Sequence, residues 1–278
     1  VLPATTPADV RLLRQIRATA RSRPRGNWSF TPQEQTAVDR INAGCLCPVG
    51  PVAMLAIAQL YVSDVPVLRP PGQADLLQVL WCPFDHPAAG MPRSALFWRS
   101  STTVADILTT APEPAAVQYG DYVPEPCLVD PEQVIEYPAP LELDQDLRAQ
   151  VEQWSARQKS GAEPGSAYDE AEEAFYQYEL SVAPGWKAGG WAPWSSTDPV
   201  PAHCRSCGTP MEPLLTIAST EWNAGNHSWI PYEDQVTASH TVQRDPSRPT
   251  MLSVGGSYNQ QIYTCPAAPE HPHTALLQ

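Results

Sequence analysis

Two distant stretches of the chain close in the same way. Gln78-Val-Leu-Trp-Cys-Pro83 runs on to Asp85-His86-Pro87, and Gln261-Ile-Tyr-Thr-Cys-Pro266 runs on to Glu270-His271-Pro272. Each is preceded by a cysteine pair and an apolar run. Gly44-Cys-Leu-Cys47 stands before the MLAIA of 54–58, and Cys204-Arg-Ser-Cys207 stands before the LLTIA of 214–218. Cys47 lies as far from Met54 as Cys207 does from Leu214. Several matches in one order predict two diverged copies of one unit, which constrains the fold more than any single motif.

The repeated residues are those that zinc requires. The ion takes four thiolate or imidazole ligands in a tetrahedron. A short Cys-x-x-Cys turn aims two sulfurs at one point, and a strand-end cysteine followed by a histidine supplies the other two. Proline and glycine beside the ligands hold the turns. The back half offers Cys204, Cys207, Cys265 and His271, with His203 and His273 as substitutes. Its Cys-x-x-Cys-Gly reads as a zinc knuckle and favours metal over a buried or redox-active thiol pair. The front half offers Cys45, Cys47, Cys82 and His86 as a second metal set, against a reading as two core thiols and a surface histidine. Closed cysteine-rich sites of this kind are structural. Cys127 is left over and reads as a core residue.

Seven cysteines, an odd number, in a chain that opens without a secretory signal argue for reduced thiols and metal ligands rather than a disulfide framework. The expected location is the cytoplasm. No apolar run is long enough to span a bilayer as a helix. The 32 prolines punctuate the chain throughout, so turns and short strands should outnumber long helices.

Those elements can be placed. Residues 8–21 read as an Arg-rich helix, and Thr31-Pro32-Gln33-Glu34 is a capping box opening a helix to about Ala43. Val52–Val62 and Leu76–Trp81 read as buried strands, Ala95–Arg99 as a short strand, and Thr103–Leu108 as one or two helical turns. Asp144–Lys159 and Ala167–Leu180 form a helical zone. The expected fold is therefore α+β and mostly β. An N-terminal helical arm (1–43) precedes a first β-rich half (44–140), a helical insertion (141–182) and a second β-rich half with the zinc knuckle (183–278).

Charge narrows the partners. The net charge is −13. Residues 1–40 carry seven arginines against three carboxylates, a balance of +4, which leaves −17 for the remainder. So acidic a body repels phosphate and suits a basic partner; any nucleic-acid contact would be confined to the N-terminal arm. His-Glu-x-x-His, Gly-x-Ser-x-Gly, the P-loop and the dinucleotide fingerprint do not occur. Asp85 and Glu270, beside the candidate ligand histidines, could act as proton-handling groups, but orientation of the histidine or plain surface charge is the more usual role. Trp186, Trp191 and Trp194 crowd a Gly/Pro-rich segment and read either as interface anchors for a partner or as packing between the halves.

These motifs also carry a resemblance. Leu77-Gln-Val-Leu-Trp-Cys-Pro-Phe-Asp-His86, Tyr122-Val-Pro-Glu-Pro-Cys127, Pro131-Glu-Gln-Val-Ile-Glu-Tyr-Pro138 and Lys187-Ala-Gly-Gly-Trp-Ala-Pro-Trp194 followed by Cys204-Arg-Ser-Cys-Gly208 resemble the YwqG-like family of unknown function, in its actinobacterial branch. The likeness runs from about residue 50 to 272. The Gly-Gly-x-x-x-Trp-Pro segment usual in that family before its first strand is replaced here by a basic, then Cys-rich stretch. More distantly, the back-half motifs are similar to the eukaryotic programmed-cell-death-2 proteins, which chaperone a ribosomal protein. The resemblance implies a pseudo-duplicated, mostly β fold and a protein-handling role without a catalytic residue. The expectation is a non-enzymatic, zinc-stabilised module, chaperone-like or an immunity-type sequestering partner, that binds a basic polypeptide such as a ribosomal protein or a toxin. A zinc-dependent hydrolase or an RNA-processing-associated factor is the alternative.

Overall fold

A computed structural model describes residues 5–23, 29–44, 50–86, 90–158, 175–194, 197–223, 225–237 and 245–278. The fold is α+β and mostly β, and the described residues form two antiparallel sheets of three and four strands. It packs as two compact units: residues 1–129 with 237–257, and residues 130–236 with 258–278.

The first unit begins with two helices, α1 (Pro7–Arg21) and α2 (Pro32–Asn42). Thr6 caps α1 by accepting from the Asp9 N–H at 3.0 Å, and Thr31 and Glu34 form the expected capping box on α2. The basic helix is docked, not a free arm. Val10, Ile16 and Ala20 are buried, and the Arg14 guanidinium donates to the carbonyls of Gly120, Val123 and Met251. Arg11 pairs with Glu113, Arg14 with Glu125, Arg23 with Glu34 and Arg40 with Asp9, so much of the helical positive charge is neutralised within the unit.

The sheet of this unit runs β1 (Leu55–Tyr61), β2 (Leu76–His86), β3 (Met91–Arg99), with β2 central. Leu77, Val79 and Trp81 alternate onto one face and are fully buried, as a period of two requires. Trp81 donates its indole N–H to the Tyr122 carbonyl at 3.1 Å, and the two rings meet edge to face. On the other face Gln78 donates to Gln59 and accepts from Arg99, a polar ladder across all three strands. The apolar stretch around β1 was expected to be buried, but Leu55 is its one buried residue. It is an edge strand with a bulge between Ala56 and Ala58, and one of its faces looks outward.

Two further expectations shift. The helical turn expected at Thr103–Leu108 forms earlier, as a 3₁₀ turn at Ser101–Thr103, because the Asp75 carboxylate accepts from both the backbone and the hydroxyl of Ser101. Ile107 and Leu108 stay exposed, and a helix with no apolar face to bury has little to stabilise it. Residues 237–257, read as part of the second half, return to the first unit, where Thr250 accepts from Glu125 N–H and Ser253 N–H donates to Asp121.

The second unit contains α3 (Gln145–Gln158), a π-helical turn at Tyr176–Ser181, the two-residue β4 (Lys187–Ala188), β5 (Glu212–Ile217), α4 (Tyr232–Thr237), β6 (Gln260–Thr264) and β7 (Thr274–Leu277). Most of the helix expected at Ala167–Leu180 lies outside the described residues. Strand order is β4-β5-β6-β7, all antiparallel. Residues Gln260–Tyr263 and Leu214–Ile217 are buried without alternation, so both faces of this sheet are covered. Its core includes Leu215, Ile217, Ile262 and Tyr263.

Candidate metal centre

Two turns build the centre. The first is the Cys204–Cys207 hairpin that leads into β5. His203 and Pro210 form an isolated antiparallel bridge, Cys204 N–H donates to Thr209 O at 2.9 Å, and Gly208 N–H returns to Cys204 O at 2.8 Å. Gly208 has φ of +74°, a left-handed conformation that lets the chain reverse directly after the second cysteine. The second turn follows β6. Cys265 ends the strand, and His271 N–H donates to Ala268 O at 3.0 Å, which curls the chain back before Thr274 pairs with Tyr263.

Both turns aim backbone N–H groups at sulfur in the same pattern. The Cys204 thiol is served by the amides of Ser206 and Cys207, and the Cys265 thiol by those of Ala267 and Ala268. Amides two and three residues beyond the cysteine thus stabilise the thiolate in each case. Ala268 occupies in the second turn the place that Cys207 holds in the first, and His271 supplies the remaining donor atom.

The four donor atoms of Cys204, Cys207, Cys265 and His271 lie within 4.8 Å of one another. Cys204 Sγ is 3.4 Å from His271 Nδ1, and Cys207 Sγ is 3.5 Å from Cys265 Sγ. Zinc–sulfur and zinc–nitrogen bond lengths give a tetrahedron whose edges are about 3.4–3.8 Å. These two spacings match such edges, and three soft thiolates with one imidazole are a donor set that fits the ion. His271, not His203 or His273, completes the group, which is the one such cluster of three or more potential ligands among the described residues.

The electrostatics are those of thiolates held together. The Cys207 thiol is brought down to about 6 by the Thr209 hydroxyl, 3.3 Å from its sulfur, and by the Thr209 N–H. Burial pushes the Cys204 thiol up, but the Ser206 and Cys207 amides outweigh it and its value falls. At Cys265 burial wins and the thiol is raised. The neighbouring sulfurs of Cys207 and Cys204 raise the His271 imidazole. A divalent cation would satisfy all four at once, displacing the protons.

Cys204 and Cys265 belong to a buried cluster with Ala192, Met211 and Tyr263, and Trp194, Ala202 and Leu276 pack against it. The Trp-rich segment is thus a wall of the centre. Its position is set by a carboxylate in the 131–138 stretch, to which the sequence assigned no role. Glu136 accepts from Lys187 Nζ at 2.6 Å and from the N–H groups of Ala183 and Trp191, both at 2.8 Å. Gly190 lies so close that a Cβ there would collide with the Glu136 carboxylate. Burial pulls the Lys187 ammonium down, partly offset by Glu136. Glu221 accepts from Trp186 N–H at 3.2 Å, and Trp186 donates its indole N–H to Ala218 O. Of the three tryptophans proposed to meet a partner, Trp186 and Trp194 are half-buried in these contacts and Trp191 is exposed.

The front set is different. Cys45 and Cys47 lie outside the described residues. Cys82 falls in a bulge of β2 between Trp81 and Asp85, and His86 ends that strand opposite Met91. Asp85 accepts from Tyr122 at 2.5 Å and from Gln118 at 3.0 Å, so this carboxylate braces the fold. Glu270, its counterpart, is exposed. Cys127, expected in the core, is exposed, because residues 123–139 form no regular element that could turn it inward. No helix among the described residues is long and apolar enough to cross a membrane. No protein-family model, curated protein or solved structure matches the chain.

Proposed function

We propose that Cys204, Cys207, Cys265 and His271 hold one structural zinc ion, and that the protein is a non-enzymatic module that binds a basic polypeptide. The observation that carries the first half is the convergence of three sulfurs and one imidazole nitrogen within 4.8 Å, from turns far apart in sequence. Four protein donors fill a tetrahedron and leave no position for a reacting water, which favours a structural ion over a hydrolytic one. The second half rests on charge. Outside residues 1–40 the chain carries −17, and several arginines of the basic region are engaged by its own carboxylates. That balance supports a cationic protein client over nucleic acid. Membership of the YwqG-like family, and with it a chaperone-like or immunity-type role in the cytoplasm, is part of the same proposal. The duplicated motif order is its support.

Metal analysis of the purified chain tests the centre, with zinc expected and its loss expected in Cys204→Ala. Capture of defined basic proteins, at physiological salt and at several times that ionic strength, tests the client. Binding that weakens with salt is expected, and a chain that retains neutral and basic proteins equally would sink the charge argument.

A further inference from the structure

The sulfurs of the centre are not equally protected. Cys204 and Cys265 are buried, whereas Cys207 is exposed at the rim. Cys207 Sγ lies 3.5 Å from Cys265 Sγ, and the two residues are 58 apart in sequence. Cys204 has its sulfur beside His271 Nδ1 and beneath the Ser206 and Cys207 amides. An oxidant arriving from solvent therefore meets Cys207 first, and the sulfur positioned to resolve the product belongs to the other turn.

We propose that Cys207 is a hydroperoxide-sensitive modification site whose oxidation forms a Cys207–Cys265 disulfide and expels the metal ion. This rests on the metal reading above. The Cys207 thiolate attacks one oxygen of hydrogen peroxide. An S–O bond forms, the O–O bond breaks, and hydroxide leaves, giving a sulfenic acid. The Cys265 thiolate then attacks that sulfur, the S–S bond forms, and a second hydroxide departs with the S–O bond. Two thiolates have supplied the two electrons that reduce peroxide to two hydroxides, which the acid of the buffered solvent protonates to water. With two of its four ligands consumed, the cation passes to solvent. The disulfide joins the same two turns that the ion joined, so the Cys204 hairpin stays tied to the end of β6. Cys204 and His271 are released, and the turn after Cys265 loses its clamp.

The test is to titrate the zinc-loaded full chain with hydrogen peroxide, follow released zinc with a colorimetric chelator, and map disulfides by mass spectrometry. The expected result is loss of two thiols for each zinc released, a peptide pair joining Cys207 to Cys265, and recovery of both thiols and zinc binding after reduction. Zinc-loaded Cys207→Ser should lose its ion more slowly. If that variant does not hold zinc, the disulfide map of the unsubstituted chain decides. A disulfide between Cys204 and Cys207 overturns the inference, as does a zinc-loaded chain that keeps its ion under excess peroxide; the metal reading survives both. A chain that purifies without metal and takes up none overturns that reading and this inference together.

Discussion

The two copies of the repeated motif use the same residues on sheets of different character. In the first unit Gln78 lies opposite Gln59 and joins a polar ladder on the less buried face. Its counterpart Gln261 lies opposite Thr216, the counterpart of Ala56, so the pairing has slipped by three residues. Both faces of the second sheet are covered, so Gln261 is buried, donating to Thr216 at 3.1 Å and accepting from Tyr263 at 2.9 Å. The cysteines part company for a related reason. β2 continues past Cys82 through a bulge to His86, whereas β6 stops at Thr264 and leaves Cys265 to open a turn. A shared motif order thus places a strand pair in each unit without placing the ligands alike.

The largest expected effect separates the two cysteines. Cys265→Ala should remove the metal and with it a large share of the ~10–16 kcal/mol that a structural zinc ion contributes. Cys82→Ala should leave the ion of the second unit in place. Metal content and denaturant unfolding of both variants measure this, and equal losses would break the distinction between the copies.

Next comes the carboxylate that positions the wall of the centre. Glu136→Gln leaves the buried Lys187 ammonium without its counter-charge and should cost about 3–5 kcal/mol. Replacing both, as Glu136→Gln with Lys187→Met, should recover much of that, since no charge is then left buried. A single variant no less stable than the unsubstituted chain would show that the pair contributes nothing.

The paired glutamines sharpen the comparison at a smaller scale. Gln261→Ala strips hydrogen bonds from Thr216 and Tyr263 inside the sheet and should cost about 1–3 kcal/mol. Gln78→Ala, on the less buried face, should stay within about 0.5 kcal/mol. Unfolding curves that rank them the other way would overturn burial as the difference between the two glutamines.

The smallest effect is one of pH and belongs to the helices of the first unit. The Arg23 guanidinium and the Thr31 N–H hold the Glu34 carboxyl down to about 2, below its ordinary 4.5. A depressed carboxylate stabilises the fold above the ordinary value and loses that contribution as pH falls toward 2. Acid titration of the helical signal should show a shallow loss in this window, and Glu34→Gln should flatten it.

Much of the centre was legible. Cys204, Cys207, Cys265 and His271 could be named because ligand chemistry restricts residue type, and the short turns around them restrict spacing. The capping box of α2 was equally plain, since its hydrogen bonds join residues three apart. The role of Glu136, though it stands in a quoted motif, was illegible for the opposite reason. Its partners are Lys187, Ala183 and Trp191, and a carboxylate in an irregular stretch looks like surface until the chain folds over it. The exposed Cys127 and the edge position of β1 were missed because hydrophobic residue type reports a tendency toward burial, not the neighbour that would provide it.

The amino-acid order by itself determined the local chemistry: which turns could close, where the first helices begin, and which four side chains could serve one ion. Tertiary structure alone decided the strand register, the face each glutamine occupies, the docking of the basic helix through Arg14, and the choice of His271 among three nearby histidines. Turns and caps are set by interactions between residues a few positions apart. Register and burial depend on which distant surfaces meet, and that is settled only when the whole unit packs.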